Sequence, residues 1–456
     1  MLACPIAKPR SRSLRLGELL GSLSYALDLT EGQPAGHCVR SCWIGMRIGR
    51  EIGLSEADIS VLYYAVLLKD LGCSSNAARI CQLYLTDDIT FKRDFKQIGD
   101  GLPQVLRFVL NHTGLKTGLA RRFEAVLNIV QNGGEIAHEL IETRCTRGAD
   151  IARQMRFGEE VARGIRDLDE HWDGRGKPAG LSGRTISICA RIALLAQVAD
   201  VFHESAGIEA ARREVRQRSG TWFDPDLVAA FERIAADSSF WAALRSERLE
   251  EALFALEPAQ RAEAVDEDYL DDIARAFARV VDAKSPYTHG HSERVALFAD
   301  SVAAEIGLDG DHRRWLRRAA LLHDIGKLGV TNQILDKPGK LDDVEWVAMR
   351  NHASLSETIL SRIAAFDDLA LVVGAHHERL DGKGYPNGLG GGDLRLETRI
   401  ISTADVFDAL TAERPYRAAM PLEKAMGIMS ADAGSAFDPD CLAALRSVAA
   451  RMERAA

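Results

Sequence analysis

Residues 319–324 read Ala319-Ala320-Leu321-Leu322-His323-Asp324, and 254 positions earlier the chain carries Ala65-Val66-Leu67-Leu68-Lys69-Asp70. The same offset sets His37 against His291, and Glu51-Ile52-Gly53-Leu54 against Glu305-Ile306-Gly307-Leu308. One fixed spacing that matches three separate segments marks an internal duplication. Upstream of each histidine lies a stretch with the spacing of one helix face, Leu16, Leu19, Leu20, Leu23 and Leu27 in the first copy. Its counterpart is Leu270, Ile273, Ala274, Phe277 and Val281. Further on, Asp173-Gly174-Arg175-Gly176-Lys177-Pro178 answers Asp381-Gly382-Lys383-Gly384-Tyr385-Pro386 at an offset of 208, because the first copy holds an insertion at about residues 85–135. Ala199-Asp200-Val201-Phe202 aligns with Ala404-Asp405-Val406-Phe407 at 205, and Phe223-Asp224-Pro225-Asp226 with Phe437-Asp438-Pro439-Asp440 at 214.

The chain is therefore expected to be all-α, with two tandem helical domains over residues 1–260 and 261–456 that meet near Glu257-Pro258. The acidic stretch Asp266-Glu267-Asp268 suits the N-terminus of a new helix, where the backbone dipole favours carboxylates. Composition agrees: 456 residues exceed one ordinary core, and 46% apolar with 27% charged residues is the balance of a globular protein. A net charge of −9 excludes a protein that coats long nucleic acid through its phosphates. No apolar run reaches the roughly 18 residues of a membrane span, and Met1 to Arg12 do not resemble a secretory signal. The eight cysteines form no C-x-x-C pair and read as reduced, buried thiols, so a cytoplasmic protein is expected.

Five histidines and two aspartates fall in order along the second copy: His291, His323, Asp324, His352, His376, His377 and Asp405. Imidazole and carboxylate suit borderline divalent metals such as iron, manganese, cobalt or zinc. Seven such ligands suffice for two adjacent ions if one carboxylate or a water bridges them. Paired ions can supply a nucleophile and stabilise both the attacking and the leaving oxygen of a phosphodiester. A lone histidine is usually a packing or surface residue; His112, His138, His171, His203 and His312 lack such company and are read that way.

His323-Asp324-Ile325-Gly326-Lys327, together with His376-His377-Glu378-Arg379-Leu380-Asp381-Gly382-Lys383-Gly384-Tyr385-Pro386, resembles the HD-GYP subgroup of the HD superfamily. The resemblance runs from about Asp282 to Asp440 and includes Arg414-Pro415-Tyr416-Arg417. It implies a helical domain with a binuclear, sometimes trinuclear, centre that cleaves cyclic di-GMP, and in some members cyclic GMP-AMP. By position, it implies that His291, His323, Asp324 and Asp405 hold one metal. Asp324 would bridge to a second metal held by His352, His376 and His377. Lys327 would bind the scissile phosphate, and Arg414 and Arg417 the dinucleotide. Two divalent ions, iron or manganese, are thus the expected cofactors. Three departures stand out: Ala353 where the family has Pro, Ser356 where Gly is common, and Tyr287 where trinuclear members carry Glu, which favours two metals.

The first copy has lost most of this set. Lys69 replaces the motif histidine, Cys73 replaces the lysine, and Arg144, Leu168 and Asp169 stand at the positions of His352, His376 and His377. Cations beside a metal position repel the ion, so this half is expected to be non-catalytic. Lys69 and Arg144 could line an anion pocket, or the half could serve packing and dimerisation. The expected function is hydrolysis of cyclic di-GMP. The alternatives are cyclic GMP-AMP as substrate, an HD hydrolase of another nucleotide, or a signalling scaffold with a vestigial metal site that binds partner proteins.

Overall fold

The leucines spaced for one helix face are buried as their spacing predicts: in the helix Leu16–Thr30, Leu16, Leu19, Leu20, Leu23 and Leu27 are each at most 2% exposed. Their counterparts Leu270, Ile273, Ala274, Phe277 and Val281 are buried in the helix Glu267–Asp282. The computed structural model describes residues 14–99, 101–258, 265–413 and 418–455. Among the described residues every regular element is an α- or 3₁₀-helix, so the fold is all-α as the sequence implies. None of these helices is long and apolar enough to cross a membrane. The seven cysteines among the described residues are all free, six of them buried.

Two compact units result, one of Ser13–Asp266 with Thr331–Gln333, the other of Glu267–Val330 and Ile334–Ala456. The expected boundary at 260/261 lies outside the described residues. In the first unit Glu257 is buried and accepts hydrogen bonds from the Gly17 amide (2.7 Å), the Tyr64 hydroxyl (3.0 Å) and Arg15 Nε (3.1 Å). A buried carboxylate that is well satisfied costs little and fixes where the first helix starts.

The duplication is built into the packing as well as the sequence. A Cβ on Gly72 would overlap the carbonyl oxygen of Arg144, and one on Gly326 would overlap that of His352, the equivalent residue. Gly176 and Gly384 are likewise pressed against the backbones of Asp169-Glu170-His171 and His377-Glu378-Arg379. Each pair needs glycine because two main chains cross there without room for a side chain. The insertion in the first copy contributes the helices Asp88–Phe95 and Leu102–His112 and the start of Leu119–Gln154. It closes its own small core of Tyr84, Phe91, Phe108, Val109 and Ile129.

Candidate metal centre

Five segments of the second unit deliver the seven predicted ligands to one place. His291 opens the helix His291–Ile306, directly after Gly290 in the left-handed region (φ 67°). His323 caps the C-terminus of Gly310–Leu322, and the short 3₁₀ turn Ile325–Gly329 brings Lys327 back onto Asp324. His352 lies within Asp343–Leu360, His376 and His377 follow Asp367–Gly374, and Asp405 lies within Leu396–Thr411.

Asp324 sits at the centre, and its two oxygens face opposite ways. Oδ2 lies 3.3 Å from His323 Nε2 and 3.5 Å from His291 Nε2. Oδ1 lies 3.5 Å from His352 Nε2 and 3.8 Å from His376 Nε2. Asp405 repeats the division, with Oδ1 3.3 Å from His291 and Oδ2 4.0 Å from His377 Nδ1. The ligand atoms form overlapping triads, His352/His376/His377, His291/His323/Asp324 and His323/His376/Asp405, each within 4.8 Å.

The rings are aimed by hydrogen bonds on their far side. Nδ1 of His323, His352 and His376 lies 2.7, 2.5 and 2.6 Å from the carbonyls of Ala320, Met349 and Val373, three residues back in each case. A carbonyl only accepts, so Nδ1 carries the proton and Nε2 keeps its lone pair for the cluster. Two atoms there, His323 Nε2 and Asp324 Oδ1, are fully buried without a hydrogen-bond partner. Orphaned buried polar atoms are costly, and a cation between them removes the cost. Burial pushes His352 down to about 4 and His377 to about 3, which keeps both imidazoles neutral. Burial also opposes ionisation of Asp324, yet the neighbouring His323 and Lys327 charges hold its carboxyl well below the usual range. Against burial, the hydrogen bonds and charges of Asp324 and Asp405 raise His291 and His323, so an ion in that half would take the place of protons; imidazoles with ionised carboxylates are a donor set that divalent metals take.

Several supporting residues have no role assigned from the sequence. Asp408 Oδ2 accepts from His291 Nδ1 at 2.7 Å and is itself gripped by Arg294 at 2.6 and 3.0 Å. Asp408→Asn is expected to weaken metal binding by roughly 10–100-fold, the usual cost of losing a carboxylate behind a ligating histidine. Metal titration checks this, and an unchanged affinity would limit Asp408 to pairing with Arg294. Buried Glu378 accepts from the amides of Asn387, Gly388 and Leu389 at 2.6–3.0 Å and staples the glycine-rich loop. The loop places the Tyr385 ring 4.8 Å from that of His377. Ser356, where glycine was expected, donates to the His323 carbonyl and accepts from the Gly326 amide, both at 2.9 Å. The departure thus ties two ligand-bearing segments together. Arg414 and Arg417 lie outside the described residues. Three of the histidines read as packing residues are paired in that way: His112 stacks on Phe108, His171 on Trp222, and His312 meets Glu397.

The first unit corrects one expectation and removes one of two alternatives. His37 Nδ1 meets Asp200 at 2.7 Å and Arg40 grips the same carboxylate, which is the His291–Asp408–Arg294 arrangement. Asp200 is therefore the counterpart of Asp408, and Gln197 occupies the position of Asp405; helix starts at Ile188 and Leu396 fix the offset at 208. A neighbouring Ala-Asp pair in a helix misled the linear alignment by one turn. Nor do Lys69 and Arg144 form an anion pocket, because each is paired with a carboxylate, Lys69 with Asp70 and Arg144 with Asp169. Lys96 lies 2.8 Å from Glu31 and 3.9 Å from Asp70 Oδ1, while Lys69 takes Oδ2. Fixed ammonium groups hold both faces of the aspartate that corresponds to Asp324.

A profile of the family described as HD domain matches residues 115–227 and 275–441, one stretch in each copy. The 3'3'-cGAMP-specific phosphodiesterase 3 of Vibrio cholerae is 53% identical over 431 residues, 94% of each chain. The 3'3'-cGAMP-specific phosphodiesterase 1 of the same organism is 38% identical over 217 residues, 47% of this chain and 50% of that one. The cyclic di-GMP phosphodiesterase response regulator RpfG of Xanthomonas campestris is 38% identical over 192 residues, 42% of this chain and 50% of that one. The crystal structure of the cyclic GMP-AMP specific phosphodiesterase V-cGAP3 of V. cholerae superposes with a TM-score of 0.66 at 48% identity, covering 95% of this chain and 97% of that chain.

Proposed function

This chain belongs to the HD domain family, and from that premise we propose that its second unit is a metal-dependent phosphodiesterase acting on a cyclic dinucleotide, with 3'3'-cyclic GMP-AMP its main substrate. One observation carries the reaction: the two oxygens of Asp324 each address a separate pair of histidines. This is the arrangement that a bridging ligand between two ions requires. The order of substrates departs from the sequence expectation, which put cyclic di-GMP first. The relative named for cyclic GMP-AMP matches 94% of the chain, whereas RpfG, named for cyclic di-GMP, matches 42%.

In this reading His291, His323 and Asp405 hold one ion, His352, His376 and His377 hold the other, and Asp324 is shared. Divalent ions held there, with iron or manganese proposed, would supply Lewis acidity and a nucleophile at neutral pH. Lys327, whose side chain is 20% exposed, donates to Asp324 and is free to turn its other protons toward a phosphate oxygen. There it stabilises negative charge as the bond breaks. Arg414 and Arg417 remain the proposed contacts to the dinucleotide, through bidentate hydrogen bonds to phosphate or base.

The test is anaerobic purification, metal analysis, and product identification from both cyclic dinucleotides. Two ions per chain and faster turnover of cyclic GMP-AMP are the expected results. Metal-replete protein that hydrolyses neither compound would overturn the reading. Lys327→Ala is expected to lower kcat more than it raises KM, since its contact strengthens as charge develops.

A further inference from the structure

The ligand set accounts for the cleaved bond but leaves the bases of a dinucleotide without a reader among the described residues. A ladder of flat groups leads out from the second half of the centre. His377, with 23% of its side chain exposed, lies 4.8 Å from the Tyr385 ring at an angle of 34°. The Arg350 guanidinium carbon lies 5.4 Å from the Tyr385 ring centroid and 5.5 Å from that of Trp346. Trp346, 43% exposed, is the outermost rung. Trp346 and Arg350 are one helical turn apart on Asp343–Leu360, the helix that carries His352. Burial therefore falls from the metal ligands outward along a series of planar faces.

Arg350 differs from most arginines of this unit. Arg294, Arg313, Arg314, Arg318 and Arg399 each hold a carboxylate, whereas Arg350 is exposed and has neither a carboxylate nor a hydrogen-bond partner among the described residues. Two aromatic rings lie within 5.5 Å of it and take none of its N–H donors. A guanidinium with its N–H groups free is matched to a ligand edge that offers two acceptors side by side.

We infer that Arg350 reads the guanine base next to the scissile phosphate, by a two-pronged hydrogen bond to O6 and N7, with Tyr385 and Trp346 as its stacking walls. Guanine presents both acceptors on that edge. Adenine replaces O6 with an amino donor, which opposes one prong of the fork. The aromatic walls favour any base by stacking, so the choice between purines falls to Arg350. The inference rests on the cyclic dinucleotide reading above and adds to it the residue that selects guanine.

The test pairs kinetics with a binding measurement that needs no turnover. In Arg350→Ala the KM for cyclic GMP-AMP is expected to rise about 5- to 100-fold, the range for one bidentate base contact, with kcat within about threefold and metal content unchanged. By calorimetry, GMP should bind wild-type protein more tightly than AMP, and Arg350→Ala should abolish the difference by weakening GMP. Arg350→Lys keeps the charge but not the fork, and it should resemble Arg350→Ala. Equal weakening of GMP and AMP, recovery in Arg350→Lys, or an unchanged KM would each overturn the role of Arg350. Wild-type protein that prefers GMP but hydrolyses no cyclic dinucleotide would instead overturn the proposed function.

Discussion

Asp324→Ala is expected to lower hydrolysis by at least about three orders of magnitude and to release both ions together, the scale seen when one member of a catalytic unit is removed. The size follows from position. Oδ2 lies within 3.5 Å of His291 and His323, and Oδ1 within 3.8 Å of His352 and His376. Among the described residues only Asp405 also faces both halves with a carboxylate, and it does so at longer range, with Oδ2 4.0 Å from His377. Removing Asp324 also leaves the Lys327 ammonium without its partner. His291→Ala, which touches one half, should lose less metal than Asp324→Ala. Metal analysis and turnover on matched samples, with circular dichroism to show retained helix, decide the matter. A metal-replete Asp324→Ala protein of normal activity would remove the bridging role.

Lys69→Ala is expected to destabilise the first unit by about 3–5 kcal/mol, the cost of stranding one member of a buried ion pair. Lys69 and Asp70 are 2% and 1% exposed, and their side chains are in direct contact. Burial opposes the charge of each, yet mutual attraction keeps Lys69 protonated and Asp70 ionised. Lys96 stands farther from Asp70, at 3.9 Å, and is shared with Glu31, so it offsets only part of the loss. Neutralising both partners, in Lys69→Met with Asp70→Asn, should recover at least half of the stability, because no buried charge is then left alone. Urea denaturation measures all three proteins. A single variant as stable as wild type would show that the ammonium does not balance this site.

The same aspartate, in two copies of one fold, is thus balanced by fixed ammonium groups in the first unit and placed for divalent ions in the second. The Lys69 exchange was visible in the sequence because it falls inside a six-residue match. The contribution of Lys96 was not, since it comes from the insertion and meets Asp70 only through packing.

The sequence by itself determined the all-α class and the duplication, and it named the seven residues that the structure brings together. Helix faces repeat at a spacing that can be counted along the chain, and most of the seven lie in short motifs beside glycines or an apolar run. Only the tertiary structure decided which oxygen of Asp324 faces which histidines, that Asp200 answers Asp408 and not Asp405, that Ser356 joins two ligand segments, and that Arg350 lies near two aromatic rings. Those relations join side chains from separate helices. Their distances are set by how the helices cross, and a crossing leaves no period and no fixed spacing in the order of residues.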